Sequence, residues 1–194
     1  MGPGLLDHYR WMARYNAWFN ERLFGAGEQL DDAARKADRG AFFGSIHNTL
    51  NHLVVADQIW LKRLAQTGVD HGVDAQALAG GVLDLPDGHA LNQPAFDDWS
   101  RLRAKRWQLD EAISAWFAAM APSFPASTMR YINSRGVQRV HPAWQALSHF
   151  FNHQTHHRGQ VTTLLMQAGV DPGVTDLLAL VDETPPDPMP NTPR

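Results

Sequence analysis

Four of the chain's ten histidines fall within nine residues, His149, His153, His156 and His157, in the run "HFFNHQTHHRGQ". Imidazole changes charge near neutral pH, moves protons and is the commonest metal ligand, so such a cluster is a place to look for chemistry. On a helix, residues four apart share a face with Cβ atoms about 5–6 Å apart, close enough for two imidazoles to hold one ion at metal–nitrogen distances of about 2 Å. The pairs His149/His153 and His153/His157 both have that spacing. All three cannot serve one ion, because eight residues separate His149 from His157, roughly 12 Å along a helix axis. One of them is a neighbour of the site. The same cluster also fits a purely structural reading, in which histidines on a bundle helix hydrogen-bond to carbonyls and acids at the core edge.

With no cysteine in the chain, disulfides, thiolate zinc sites and a cysteine nucleophile are excluded, and any ion must be held by nitrogen and oxygen. A third protein ligand has to come from a facing segment. His47 and His52 are the candidates; five residues apart, they point about 140° from one another on a helix and cannot both reach one ion. His52 lies deeper, beside an apolar stripe, and is the better third ligand; His47 belongs to a first turn, near solvent. Asp57 sits on that apolar stripe, where a carboxylate is costly unless paired. It either orients a ligand imidazole or acts as a general base, or it forms a buried ion pair or hydrogen bond with a partner such as Arg158 or Tyr9. Arg158 likewise pairs with an acid or binds an anionic substrate group, and Asn16 and Asn20 offer polar contacts at the end of a bundle. No glycine-rich phosphate loop, serine nucleophile elbow or Glu-x-x-His pair is present.

Helices must position these groups. Leu5, Tyr9, Met12, Asn16, Phe19 and Leu23 recur at spacings of three and four, predicting a first helix from Leu5 to Phe24 closed by Gly25 and Gly27. The stretch "EQLDDAARKADRG" holds a short helical turn. Ser45 is the N-cap of a second helix, whose stripe is Ile46, Leu50, Leu53, Trp60 and Leu64, with Gly68 after its end. Residues 68–92 carry no period and form a connection long enough to return the chain to the other end of a bundle, so that the second and third helices run parallel. The third helix extends from about Gln93 to Met120. Thr128 to Ile132 and Val137 to Val140 flank "NSRG" as a small β-hairpin. The fourth helix starts near Pro142 and carries the histidines to Gln167. The expected fold is all-α: a four-helix bundle with one long crossover and a hairpin insertion, one domain over residues 1–182. Residues 183–194, with five prolines, form a tail expected to be disordered.

A net charge of −3 with no basic run gives no footprint for a nucleic-acid backbone. No window approaches the roughly 18 consecutive apolar residues of a membrane span, and Asp7, His8 and Arg10 interrupt the N-terminus where a signal peptide would be apolar. The expected location is cytoplasmic, without nucleic-acid or membrane partners.

"LNHLVVADQIWLKRL" together with "SHFFNHQTHHRGQVTTLLMQAG" closely resembles the DinB/YfiT-like family of metalloenzymes, and "YNAWFNERL" and "GVTDLL" fit it as well. The resemblance covers residues 5 to 181. It implies a four-helix bundle with an unusual crossover and a divalent metal near one end, with His52, His153 and His157 as the ligands. His149 and His156 then become neighbours of the ligands, His149 a turn before them and His156 on an adjacent face, and His149 joins Asp57 and Arg158 as candidates to support the site. Imidazole donors suit Zn, Ni, Fe and Cu, with Zn or Ni expected here. Three neutral ligands leave a coordination position open for a small-molecule substrate, and the activity implied is that of a metal-dependent hydrolase or a transferase using a low-molecular-weight thiol. The alternative is a non-catalytic metal-binding protein of the stress response, matching the family's association with DNA-damage induction. Members of the family are often dimers, and the resemblance implies a homodimer here.

Overall fold

The computed structural model describes residues 4–85, 89–90 and 93–183. Six α-helices occur among them: α1 Leu5–Gly27, α2 Asp32–Lys36, α3 Ile46–Asp70, α4 Trp99–Ala119, α5 Ala143–Gln167 and α6 Ala179–Glu183. A single antiparallel hairpin, β1 Thr128–Ile132 and β2 Gln138–Pro142, precedes α5. The fold is the all-α bundle with a small β insertion that the periodicities predict. The tail assigned to residues 183–194 lies, from 184 onward, outside the described residues; Glu183 closes α6, a helix the sequence reading lacks.

Local chemistry accounts for the helix limits. Ser45 caps α3, its side chain accepting from Asn48 N at 3.1 Å, and Asp98 caps α4 by accepting from Arg101 N at 2.8 Å. α1 runs through Gly25 to Gly27, where a Cβ would stand 2.7 Å from the ring of Trp99; glycine is what lets α1 approach the start of α4 so closely. Its buried face holds Tyr9, Asn16, Phe19 and Leu23 of the expected stripe; Leu5 is exposed instead, and Leu6, Ala13 and Asn20 widen the face on one side.

α4 starts six residues later than expected, at Trp99, because the backbone before it is held by another helix. Asn51 of α3 accepts from Phe96 N at 2.9 Å and donates to Phe96 O at 2.9 Å, and His47 Nε2 donates to the same oxygen at 2.8 Å. Gln58, also on α3, donates to Val82 O at 3.3 Å and Asp84 O at 2.8 Å, so the crossover is tied down at its middle as well as where it enters α4.

The packing partners set the helix directions. α1 lies on α4 and α5, and α3 lies on the same two, leaving α1 and α3 diagonal. Tyr9 meets Trp144 while Asn16 meets Arg158, so α1 and α5 are parallel. Arg10 meets Phe117 and Asn20 meets Asp110, so α1 and α4 are antiparallel. Asp57 meets Arg106 and Gly68 approaches Trp116, so α3 and α4 run parallel, as a long crossover requires. One apolar cluster fills the middle, built on Leu23, Leu50, Leu61, Ile113, Trp116 and Phe150; each such side chain contributes about 1.5–3 kcal/mol by its burial. No described helix is long and apolar enough to cross a membrane.

Candidate metal centre

α3 and α5 are antiparallel neighbours, and this brings the second turn of α3 against the middle of α5. His52 therefore faces His153 and His157, which occupy successive turns of α5. The Nε2 atoms of His52 and His153 are 3.3 Å apart and those of His157 and His153 are 3.1 Å apart. One ring nitrogen from each residue lies within 4.8 Å of the other two, and this is the only such group of three or more metal-ligating side chains among the described residues.

These spacings can be tested against an ion. Zinc bound to imidazole at about 2.0–2.1 Å in a tetrahedron has ligand nitrogens about 3.3 Å apart. The two measured separations match that edge. The tautomer fits too: His157 Nδ1 donates to Gln160 Oε1 at 2.8 Å, which leaves its Nε2 with a free lone pair turned to the cluster. Burial, reinforced by the neighbouring imidazoles, pushes His153 down to about 3, and burial also lowers His157 despite the opposing bond from Gln160. Both rings are neutral at pH 7, the form a metal requires.

Phe43 forms the wall. Its ring stacks on His52 with centroids 4.0 Å apart and meets His157 edge-on at 5.5 Å. The turn that carries it is closed by Gly44 N donating to Ala41 O at 2.8 Å and Arg39 N donating to Gly44 O at 2.8 Å, with Gly40 and Gly44 at φ of 68° and 77°. Phe42, at the tip, is 84% exposed. His52 and His157 are buried, while His153 is half-buried and gives the centre its solvent side.

The other histidines separate cleanly. His149 stands beside the centre, its ring 5.7 Å from that of His153 and 4.7 Å from Trp60. His156 packs edge-on against His157 at 4.8 Å, on the exposed side. His47 is not near solvent as its first-turn position predicts; it is buried, because residues leading into α4 fold over it.

Behind the centre lies a buried charge network that the sequence reading assembled only in part. Asp57 pairs with Arg106 of α4, Oδ2 to Nη1 at 2.6 Å, and not with Arg158 or Tyr9. Tyr9 instead donates to Trp144 O at 2.9 Å. Arg106 also meets Asp110, Nε to Oδ2 at 3.1 Å. Asn16 and Asn20 each donate to Asp110 Oδ1 at 2.9 Å, so both work at mid-bundle and not at its end. Arg158 donates to Asn16 Oδ1 and sits over the rings of Phe19 and Tyr15, at 4.8 and 5.4 Å. Two carboxylates and two guanidiniums thus balance in the core. Burial raises Asp57 to about 6, against the pull of Arg106, and lowers Arg158 to about 10. Arg106 and Asp110 had a signal in the sequence, since they interrupt the apolar series Leu102, Ile113, Phe117 at helical spacing. Gln160 and Phe43 had none beyond proximity.

Set beside known proteins, the chain matches a profile described as the DinB family over residues 6–190. It is 24% identical over 166 residues to a protein of Bacillus subtilis (strain 168) named Protein DinB, an alignment covering 84% of this chain and 87% of that protein. No solved structure matches.

Proposed function

The chain belongs to the DinB family, and from that premise we propose that it binds one divalent metal ion through His52, His153 and His157 and uses it as a hydrolase or thiol-dependent transferase. The carrying observation is the convergence of three Nε2 atoms at separations of 3.1 and 3.3 Å where measured. Zinc or nickel suits an all-imidazole set. A divalent ion there supplies Lewis acidity, lowering the pKa of a water or thiol that reaches it.

The chain's own residues divide the remaining work. Gln160 holds the tautomer of His157, and Phe43 shields His52 and His157 from water. Asp57 cannot serve as a base at the reacting centre, because it is buried and committed to Arg106. His149 is the base on hand. It adjoins His153, and burial, with Arg63 and His141 nearby, keeps its pKa low, so that it is neutral and able to accept a proton at pH 7.

The test is elemental analysis of untagged protein that has not touched a nickel resin. Wild type and His149→Ala should carry close to one metal per chain, and His52→Ala and His153→Ala should carry almost none. Full retention in His52→Ala would remove the cross-helix site, and a wild type that stays empty after reconstitution would remove the metal. A metal-loaded protein inert toward both an ester panel and a thiol-transfer panel would instead support a non-catalytic metal-binding role.

A further inference from the structure

On the opposite side of the bundle from the histidines, α1 and α4 enclose a cavity of about 360 Å³. That is a small-molecule volume. Its walls are aromatic: Trp18 and Phe24 from α1, Trp107 from α4, with Leu180 of α6 at the edge. Arg22 lies over Trp18 at 4.2 Å and Arg103 over Trp107 at 5.2 Å, so each indole already has a guanidinium on its ring. A second cation is disfavoured there and an electron-rich ring is favoured. The floor is the far side of the buried network, Arg106 with Asp110, and that pair is neutral in sum.

The two ends of the cavity differ in kind. α1 and α4 are antiparallel, which sets Arg14 level with Ser114 at one end. Neither side chain has a polar partner among the described residues, so that end presents a free guanidinium and a free hydroxyl. Six and seven residues along α1, about 9–10 Å by helical rise, Asn20 and Glu21 line the other end. Asn20 is fully buried and its Oδ1 receives no hydrogen bond; Glu21 has no partner among the described residues. A buried acceptor left without a donor costs about 1–3 kcal/mol, so this end lacks an N–H.

We propose that this groove binds an aromatic carboxylate bearing an N–H donor at its far end, with the carboxylate on Arg14 and Ser114, the ring between Trp18 and Trp107, and the N–H on Asn20. The site is independent of the metal centre.

Calorimetric titration of the full chain with indole-3-acetate tests it, with indole, which lacks the carboxylate, and 1-naphthaleneacetate, which lacks the N–H, as comparators. Indole-3-acetate should bind saturably at one per chain, and each comparator about tenfold more weakly or worse. Trp107→Ala and Arg14→Gln, both at exposed positions, should weaken binding by about tenfold while leaving the melting curve unchanged. His52→Ala should bind as wild type does. Absence of saturable binding, equal affinity for all three compounds, undiminished affinity in Trp107→Ala, or loss in His52→Ala would each overturn the assignment.

Discussion

The Nδ1–H of His157 is bonded to Gln160 one turn on, and that contact decides which nitrogen the ring offers to the cluster. Gln160→Ala frees the tautomer without touching His52, His153 or His157. Metal affinity should fall about 10–100-fold, read by competition with a chromophoric chelator; unchanged affinity would make the bond idle. His47 illustrates a histidine with the opposite duty. It is neutral and buried, donating to Phe96 O, and burial lowers its pKa. The unfolded chain, with a pKa near 6.5, therefore takes up the proton first, so the stability His47 supplies is complete above about pH 6.5 and is lost as pH falls below it. His47→Gln keeps a donor but does not titrate. Its melting temperature should lie below that of wild type at pH 7, and the gap should narrow by pH 5. A gap independent of pH would mean that His47 is not protonated on unfolding.

Among the elements, α3 carries the most. One face presents His52 to α5, another pairs Asp57 with α4, and a third grips the crossover through His47, Asn51 and Gln58. Asn51 satisfies both backbone groups of Phe96 just before α4 begins. Asn51→Ala should cost about 2–3 kcal/mol, from two hydrogen bonds lost and Phe96 N left unpaired, while Phe96 O keeps its bond from His47. Hydrogen exchange should quicken at residues 93–98 more than in α5. Uniform protection would show that the crossover holds its place without Asn51.

For the whole molecule, Asp57, Arg106 and Asp110 join α3 to α4 directly, Asn16 and Asn20 tie Asp110 to α1, and Asn16 in turn accepts from Arg158 of α5. Such a network is worth little against apolar replacements but is expensive to break, since deleting one member strands a charge. Asp57→Ala should therefore destabilise by about 3–5 kcal/mol in a denaturant melt, while Asp57→Ala combined with Arg106→Met recovers part of that loss. Failure of the second change to recover anything would mean that packing, not stranded charge, makes Asp57 necessary.

Residue spacing alone carried much of this protein. The helical periods, the Ser45 cap, the hairpin around "NSRG" and the need for a long crossover are local or one-dimensional properties, and each is visible without a fold. The pair His153 and His157 is local too, because four residues make a helical turn. Choosing His52 over His47 began as an argument about depth in a helix, and here tertiary structure decided: antiparallel packing of α3 on α5 brings His52 to the cluster, while the crossover covers His47. The partner of Asp57 was beyond the sequence, which supplies several cations and no distances; only the parallel register of α3 and α4 selects Arg106. Contacts between residues far apart in the chain depend on how helices cross, and no periodicity within a single helix encodes that crossing.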